Sequence, residues 1–218
     1  MNVHPIAAHG WLLLVAYLLG SIPFGFLIVK LRQGRDIRGV GSGNIGAANV
    51  TRAVGLGTGL LTFLLDAGKG YLAVWFAARF TDQSISWMVT AGLAAVVGHL
   101  FPLWLRFRGG RGVATGVGVF LPICWPAVLV ALVIWIVVVA FWRYVSLGSI
   151  AATAALPLLT YLLYAPPHAP PLIVSVSTTL AAVLIIVRHR PNIERLIAGT
   201  EQPLTLRRPR PGPGGREP

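Results

Sequence analysis

The chain has 218 residues, of which 56% are hydrophobic and only 11% are charged. An ordinary soluble domain carries charge on roughly a quarter of its residues, so this composition excludes one. The formal net charge is +12, yet no soluble domain is available to present a basic face to nucleic acid, and we expect no nucleic-acid partner. We expect part of this charge to orient the chain and attract anionic lipid, and the rest to serve anionic substrates.

The apolar residues fall into blocks that can cross a bilayer, which takes about 20 residues of helix. Six such blocks are Trp11–Val29, Gly57–Ala78, Ser86–Leu105, Trp125–Trp142, Leu147–Tyr164 and Pro171–Val187. A seventh stretch, Val113–Cys124, is short and rich in glycine, and its length alone fits either a span or a re-entrant segment. The first block lacks a basic start and a convincing cleavage site, which favours a retained anchor over a signal peptide.

The cationic residues give the predicted orientation. They crowd the loops after the first and third blocks, the position after Trp142 and the C-terminal tail, whereas Arg79 stands alone on the opposite side. Because cytoplasmic loops retain Lys and Arg, the crowded segments should face the cytoplasm. For Arg108 and Arg143 both to lie inside, the chain must cross twice between them, which makes Val113–Cys124 a span. The sequence thus predicts an all-α integral membrane protein of about seven transmembrane helices, with the N-terminus outside and the C-terminus in the cytoplasm.

We expect residues 1–202 to form a single transmembrane domain. The tail from Pro203 to Pro218 is rich in Pro, Gly and Arg, and is predicted to be disordered and to face lipid. The single cysteine, Cys124, allows neither an internal disulfide nor a thiolate cage, and the five histidines show no ligand-like spacing with an acid. We therefore expect no metal site.

A glycine-rich segment, residues 39–52, lies in the first cytoplasmic loop. Its run Gly41–Gly46 formally matches the dinucleotide-binding fingerprint, but that fingerprint follows a strand, and here a membrane helix precedes it. We therefore reject dinucleotide binding. Glycines still let backbone N–H groups converge on an anion, and Ser42, Asn44 and Arg52 can add donors. The alternative is a plain turn, but two Asn, a Ser and an Arg among the glycines favour a functional loop.

A second glycine-rich segment, Arg108-Gly-Gly-Arg-Gly112, follows the third block. It resembles a phosphate cradle at the start of a helix, where unpaired N–H groups and the helix dipole favour anions. It is not a Walker A loop, because no Gly-Lys-Ser/Thr ends it. A simple positive-inside turn would explain the arginines but not the three glycines. We interpret the nearby His99 as a packed or capping residue.

A third motif is split between two cytoplasmic segments. Arg143–Ser149 forms a tight turn between the fifth and sixth spans, and Arg188–Arg195 leaves the last span and enters a short helix, with Pro191 suited to its first turn. His189 and Asn192 lie three residues apart and can share a face of that helix. A surface amphipathic helix explains this spacing equally well, so the spacing alone leaves the function of the segment open.

One charged pair lies deep in the second span. Asp66 and Lys69 are three residues apart and lie on one helical face. Charges at membrane depth are costly and are normally paired and turned inward. We interpret the two residues as an ion pair that holds helices together around the site, rather than as catalytic groups.

Four ordered segments together resemble one known family. They are Ser42-Gly-Asn with Arg52 ten residues on, Gly-His-x-Phe-Pro followed by Gly109-Gly-x-Gly-Val-Ala-Thr115, Tyr-Val-Ser-Leu-Gly-Ser-Ile, and His189-Arg-x-Asn-Ile-x-Arg-Leu. These look like the signature segments of the bacterial acyl-phosphate:glycerol-3-phosphate acyltransferases, and the resemblance covers about Gly20 to Glu201. It implies a seven-span enzyme of the bacterial inner membrane with a cytoplasmic active site. The implied reaction joins an acyl phosphate to the sn-1 hydroxyl of glycerol 3-phosphate, giving lysophosphatidic acid and phosphate in the first step of phospholipid biosynthesis.

The resemblance also implies roles for individual residues. The implied catalytic residues are Ser42, Arg52, Ser146, His189 and Asn192. The implied substrate-binding residues, among which the three glycines at 109, 110 and 112 hold glycerol 3-phosphate, are Gly41, Gly43, Asn44, Arg108, Gly109, Gly110, Arg111, Gly112 and Thr115. The family usually has lysine at position 111 and threonine where this chain has Ala48. Because arginine keeps the charge and can bind phosphate bidentately, we expect activity to survive with altered contact geometry.

The expected chemistry is direct acyl transfer. An acyl phosphate is already activated, so the enzyme need not supply a covalent nucleophile, a metal, a cofactor or ATP. Positioning of the two substrates is worth about 7–11 kcal/mol, and a general base adds about 10²–10⁴-fold. Either His189 or a phosphate oxygen of the donor serves as that base. Asn192, Ser42 and backbone N–H groups are candidates to stabilise the oxyanion.

Two other classes of protein compete with the enzyme. A transporter of an organic phosphate or another anion predicts repeated halves and ionisable groups near the midplane, and the Asp66–Lys69 pair fits it weakly. No internal repeat is visible, however, and the polar motifs gather at one face. A non-catalytic lipid-binding scaffold would need neither His189 nor two glycine loops. We expect a monomer whose partners are membrane lipid and the two substrates.

Overall fold

The computed structural model describes residues 9–164 and 169–204, and within them every regular element is helical. The α-helices, in chain order, are α1 (Trp11–Ser21), α2 (Phe24–Gln33), α3 (Ala47–Val54), α4 (Leu56–Phe80), α5 (Ile85–Leu100), α6 (Val113–Phe120), α7 (Trp125–Trp142), α8 (Val145–Leu163), α9 (Leu172–Arg188) and α10 (Arg190–Ile197). Short 3₁₀ turns cover Ile37–Gly39 and Leu103–Leu105. Apart from residues 203 and 204, the predicted disordered tail lies outside the described residues.

Five segments are long and apolar enough to cross a membrane. They are Trp11–Gln33, Leu56–Phe80, Ile85–Leu105, Trp125–Trp142 and Val145–Leu163. Helices α9 and α10 pass the same test as a pair bent by 55°, which brings the number of candidate spans to six within the described residues. The protein is therefore a multi-pass, all-helical membrane protein. Helix α6 has only eight residues, or about 12 Å at 1.5 Å per residue, and is too short to cross alone.

Small residues bring α6 close to the long helix α4. A side chain at Gly70 would overlap the carbonyl of Thr115, and one at Gly118 would overlap the carbonyl of Ala67. Backbones that approach this closely are typical of helix contacts in membranes, where packing rather than water exclusion drives association. The contact fixes the start of α6, and with it the loop that precedes this helix.

The polar segments meet at one end of the helical bundle. Three of the long-range hydrogen bonds that join them run from an arginine to a backbone carbonyl: Arg52 to Gln202 (3.2 Å), Arg143 to Leu204 (3.1 Å), and Arg188 to Gly109 (3.1 Å). The loops after α2, α5, α7 and α9 therefore share one end, as the charge pattern predicted that they would share one side.

Candidate active site

The first glycine loop (residues 41–46) is organised by Asn49, which is 1% exposed in the first turn of α3. Its side-chain oxygen accepts the Ser42 N–H at 2.9 Å. Its side-chain nitrogen donates to the carbonyls of Val40 at 2.9 Å and of Asn44 at 2.8 Å. The sequence analysis gave Asn49 no role of its own. The structure shows that this one amide determines the shape of the loop.

Ser42 is held between two glycines in left-handed backbone conformations. The φ angles are +59° at Gly41 and +69° at Gly43, values that glycine adopts without steric cost. The Ser42 hydroxyl oxygen is buried and has no hydrogen-bond partner within the described residues. Because the Ser42 N–H is already bound to Asn49, the group that Ser42 offers to a ligand is its hydroxyl.

The second glycine loop (residues 108–112) is tied to the end of α5. Gly109 donates its N–H to the Leu100 carbonyl at 3.2 Å, and Gly110 donates to the His99 carbonyl at 3.1 Å. The expectation of unpaired N–H groups is therefore wrong for these two glycines. They are needed for close packing instead, because a side chain at Gly109 would overlap the His99 carbonyl and one at Gly110 the His99 ring. Gly112, with φ at +89°, ends the loop and starts α6.

A buried carboxylate that the sequence analysis missed, Glu201, lies at the centre of the site. It is 6% exposed and accepts hydrogen bonds from Ser146 Oγ at 2.7 Å, Asn192 Nδ2 at 2.8 Å and Arg195 Nε at 2.7 Å. Burial alone would raise the pKa of the Glu201 carboxyl, but these hydrogen bonds outweigh burial and the net shift of the pKa is downward. Glu201 stays ionised and draws Ser146 and Asn192 together from α8 and α10.

Cations outnumber this single carboxylate. Arg195 pairs with Glu201, while burial lowers the pKa values of Arg52 and Arg111 and the nearby Glu201 charge opposes that shift. Burial lowers the pKa of Arg111 to about 10, and the neighbouring positive charges push it the same way. At neutral pH the Arg111 side chain therefore keeps its proton. An excess of guanidinium groups around one carboxylate favours an anionic ligand.

His189 caps α9 and is 1% exposed. Its ring Nδ1 lies 2.8 Å from the Ile185 carbonyl oxygen. A carbonyl only accepts, so Nδ1 carries the proton of a neutral ring and Nε2 is left as an acceptor. The charges of Arg111 and Glu201 both act on this ring, so His189 belongs to the same cluster.

Two cavities open at this end of the bundle, and the first glycine loop lines both. The smaller, about 150 Å³, is lined by Gly41, Ser42, Arg52, Arg195, Thr200, Glu201 and Gln202. The larger, about 560 Å³, is lined by Asp36, Arg38, Gly39, Gly43, Arg108, Gly109 and Arg188. Arg188, which the sequence analysis did not assign to the site, also donates to the Gly109 carbonyl. Among the described residues no group of three or more His, Cys, Asp or Glu is placed to hold a metal ion.

Not every predicted site residue lines a cavity. The Asn44 carbonyl holds Asn49, and Gly110 and Gly112 pack against α5 and α9. Thr115 is fully buried in α6, and its hydroxyl has no partner within the described residues. Among the predicted site residues, three more have a buried polar atom without a hydrogen-bond partner in the described part of the chain: Ser42 Oγ, Arg52 Nε and Asn192 Oδ1. Since an unpaired buried polar atom costs free energy, these groups are suited to pair with a bound ligand.

The fold and the site define a polytopic helical membrane protein with a buried, cationic polar centre at one end of its bundle. The family model described as glycerol-3-phosphate acyltransferase matches residues 10–199. A glycerol-3-phosphate acyltransferase of Trichlorobacter lovleyi is 50% identical over 188 residues, which are 85% of this chain and 92% of the relative. One of Gluconobacter oxydans is 47% identical over 190 residues, 86% of this chain and 89% of the relative. The chain belongs to the glycerol-3-phosphate acyltransferase family, which confirms the resemblance found in its motifs.

Solved structures of the same kind match the whole bundle. The crystal structure of PlsY (YgiH), an integral membrane glycerol 3-phosphate acyltransferase, in its glycerol 3-phosphate form is 41% identical with a TM-score of 0.83, covering 89% of this chain and 94% of that one. The lysophosphatidic acid form is 38% identical with a TM-score of 0.80, covering 90% and 95%. The helical architecture is therefore that of an integral membrane acyltransferase.

Proposed function

We propose that this chain transfers the acyl group of an acyl phosphate to the sn-1 hydroxyl of glycerol 3-phosphate, giving lysophosphatidic acid and phosphate. The observation that carries the proposal is the polar centre around Glu201. There Ser42, Arg52 and Asn192 each keep a buried polar atom without a partner among the described residues. Unsatisfied groups beside an excess of guanidinium charge are what two phosphate-bearing substrates require.

The two cavities fit two substrates that each carry a phosphate. In this proposal the second glycine loop holds the phosphate of glycerol 3-phosphate, with Arg108 and Gly109 in the wall of the larger cavity. Ser42 and Arg52 in the smaller cavity face the reacting groups. The named relatives and the glycerol 3-phosphate form of PlsY support glycerol 3-phosphate as the acceptor. The proposal that the donor is an acyl phosphate rests on the resemblance of the sequence motifs to those of the family.

The transfer proceeds in one displacement. The glycerol hydroxyl oxygen forms a bond to the acyl carbon, the bond from that carbon to the phosphate oxygen breaks, and phosphate leaves with the electron pair. Asn192 donates to Glu201 through Nδ2, so its free Oδ1 is placed to accept a hydrogen bond from the attacking hydroxyl. The sequence analysis had assigned Asn192 to the oxyanion; the hydrogen bond to Glu201 favours orientation of the nucleophile instead. Arg52 and Ser42 are then left to stabilise the negative charge.

The hydroxyl proton goes either to His189 or to a phosphate oxygen of the donor. His189 Nε2 is the free acceptor of the ring, because Nδ1 is bound to the Ile185 carbonyl. No covalent acyl-enzyme is part of this route. Incubation with radiolabelled palmitoyl phosphate in the absence of glycerol 3-phosphate should leave the protein unlabelled, and an ester on Ser42 or Ser146 would contradict direct transfer.

We further propose seven crossings, with the N-terminus outside and the site facing the cytoplasm of a bacterial inner membrane. The hydrogen bonds between segments support this number. Gly109 and Arg143 are both at the site end, yet α7, which ends at Trp142, is long enough to begin at the opposite end. Residues 113–124 must then connect the two ends, although helix α6 covers only part of the distance. We propose residues 1–202 as one domain, active as a monomer.

The test is phosphate release and lysophosphatidic acid formation by the purified full-length protein in detergent, with palmitoyl phosphate and glycerol 3-phosphate. Product should require both substrates. His189→Ala and Arg52→Ala should lower kcat/KM by roughly 10²-fold or more, the usual cost of losing a general base or a charge-stabilising donor. Matched controls on exposed neighbours, Arg190→Ala and Arg35→Ala, should keep wild-type rates.

A parallel reaction with palmitoyl coenzyme A tests the identity of the acyl donor independently of the identity of the acceptor. Product from the thioester but not from palmitoyl phosphate would keep the acyltransferase and overturn the proposed donor. No product from either donor with folded protein would overturn the enzyme itself. The hypothesis of an anion transporter would then be tested by measuring the uptake of glycerol 3-phosphate into vesicles.

A further inference from the structure

A group of three neighbouring ionisable side chains between α4 and α5 is buried inside the bundle and lines neither of the two cavities. Asp66 and Lys69, on α4, are each 2% exposed, and His99, near the end of α5, is 4% exposed. Charges inside a membrane protein are costly and mark a function or a needed contact. Because Asp66 and Lys69 lie on the same helix, their ion pair alone would not connect α4 to any other element. The role of the group therefore depends on its contacts with other parts of the fold.

The buried cluster (Asp66, Lys69 and His99) connects three parts of the fold. Lys69 Nζ lies 2.8 Å from Asp66 Oδ1 and donates to the Ile22 carbonyl at 2.7 Å, at the break between α1 and α2. The same Asp66 oxygen lies 3.6 Å from His99 Nδ1. The cluster therefore ties α4 to the first span on one side and to the end of α5 on the other.

His99 carries this connection to the second glycine loop. Its carbonyl accepts the Gly110 N–H at 3.1 Å, and its ring occupies the space that a side chain at Gly110 would need. The same carbonyl contacts Gly109 so closely that no Cβ fits there. The position of the loop backbone is thus set by the position of His99. Asp66 lies behind the ring, with its Oδ1 atom 3.6 Å from His99 Nδ1.

Helix α4 also fixes the other side of the loop. Ala67 and Gly70, beside the cluster residues in sequence, are the points where α6 packs against α4. The stretch from Asp66 to Gly70 therefore contacts both the element before the loop and the helix after it. A displacement of the cluster would move the loop backbone without touching a substrate.

We propose that Asp66, Lys69 and His99 are positioning residues that hold the second glycine loop in the geometry that binds the phosphate of glycerol 3-phosphate. This rests on the proposed function. It predicts a selective defect: binding of the acceptor weakens, whereas binding of the acyl donor and the rate at saturation change little. A purely structural cluster would instead lower the amount of folded protein and spare the KM values of what remains.

The test is His99→Ala in the purified full-length protein, after wild-type turnover has first established the reaction. We expect the KM for glycerol 3-phosphate to rise about tenfold, the KM for palmitoyl phosphate to stay within about twofold, and kcat to fall by less than about threefold, which is the signature of lost ground-state binding. Val96→Ala is the matched control, since it removes fully buried packing from the same helix, three residues before His99. It should shift thermal stability and leave both KM values unchanged.

A second experiment tests the contact itself. Gly110→Ala should raise the KM for glycerol 3-phosphate because the new methyl group meets the His99 ring. On the His99→Ala background the same change should cost much less, so the two effects should be non-additive by at least about threefold. Additive effects would contradict positioning through this contact.

Each remaining outcome is decisive. Equal rises in both KM values, or a loss confined to kcat, would overturn the inference while leaving the acyltransferase in place. If His99→Ala does not fold, His99→Gln, which keeps polar atoms in the space, replaces it, and failure of both would show that the cluster serves folding alone. If the folded wild-type protein shows no turnover, the proposed function is overturned, and this inference, which rests on it, is overturned as well.

Discussion

At position 111 the chain carries an arginine where the family resemblance predicts a lysine. Arg111 remains protonated with a pKa of about 10 and lies among the charges of Glu201, Arg195 and Arg52. A positive charge at this position is needed to hold a phosphate, but either the forked guanidinium of arginine or the ammonium of lysine can provide that charge. We expect Arg111→Lys to keep kcat within about threefold of wild type and to change KM values by a similar factor, because charge is retained while bidentate geometry is lost.

Removal of the charge should have a larger effect. Arg111→Ala should lower kcat/KM by roughly 10²–10³-fold, the range found when one donor to a developing negative charge is deleted. Steady-state kinetics with each substrate varied in turn gives kcat and the KM for each substrate. Arg106→Ala, which removes an exposed cation near the same loop, is the matched control and should be neutral. Equal losses in the Arg111→Ala and Arg106→Ala variants would mean that net surface charge, not the placement of Arg111, attracts the substrates.

At the scale of elements, residues 200–204 close the site by packing against α8 and α10. Glu201 anchors this segment through Ser146, Asn192 and Arg195, and its carboxyl has a pKa below the ordinary value of 4.5. A carboxyl whose folded pKa is depressed stabilises the fold above its unfolded pKa, and that contribution is lost as pH falls through the folded pKa. The stabilisation should be complete at neutral pH and should decline below about pH 4.5.

The pH dependence of this stabilisation is checked with the Glu201→Gln variant. Thermal unfolding of the variant and of the wild type is measured in detergent from pH 3 to pH 7. At pH 7 we expect it to be less stable than wild type by roughly 1–3 kcal/mol, the worth of charge-assisted hydrogen bonds in a buried setting. The difference between the two proteins should shrink toward zero as pH falls below 4.5. Glu194→Gln, whose carboxylate is 60% exposed in its pair with Arg190, should cost almost nothing at any pH. A gap that does not narrow at all between pH 4.5 and pH 3 would mean that Glu201 acts through its shape and not its charge.

The elements show where sequence reasoning reaches its limit. The block Trp125–Trp142 was predicted as a span and is helix α7 with the same bounds, because hydrophobic length alone determines a lipid-facing helix. The glycine loops could be singled out because their residue types are unusual in turns between spans, whereas the role expected of His189 came only from the family resemblance. The pairing of Gly109 with the Leu100 carbonyl, in contrast, depends on how α5 ends against the loop. No local pattern carries that information.

Glu201 was missed for the same reason. It lies four residues beyond α10 in a chain with only six acidic residues, and nothing near it in sequence marks it as buried. Its three donors come from α8 and α10, so its role exists only once those helices have packed. The scarcity of acids was the one available signal. In a basic membrane protein, each carboxylate next to a functional motif is a candidate partner for its cations.

At the scale of the whole molecule, the site requires that four loops meet at one membrane face. Arg143 binds the carbonyl of Leu204, and Arg188 binds that of Gly109, so the ends of α5, α7 and α9 lie together. Helix α7 has 18 residues, about 27 Å at 1.5 Å per residue, which nearly matches the hydrocarbon core. In the proposed seven-span topology, its start at Trp125 lies near the far face, and the turn at residues 121–124 lies there as well.

Cysteine labelling on spheroplasts decides this topology. On a Cys124→Ala background, single cysteines at exposed positions are Asp82→Cys in the loop after α4, Pro122→Cys in the turn after α6, and Arg190→Cys beside the site. A membrane-impermeant maleimide should label the first two in intact spheroplasts and the third only after permeabilisation. If Pro122→Cys reacts only after permeabilisation, residues 113–124 are re-entrant. Helix α7 would then start inside and place Arg143 outside, away from Leu204, so the hydrogen bonds that close the site could not form in the membrane.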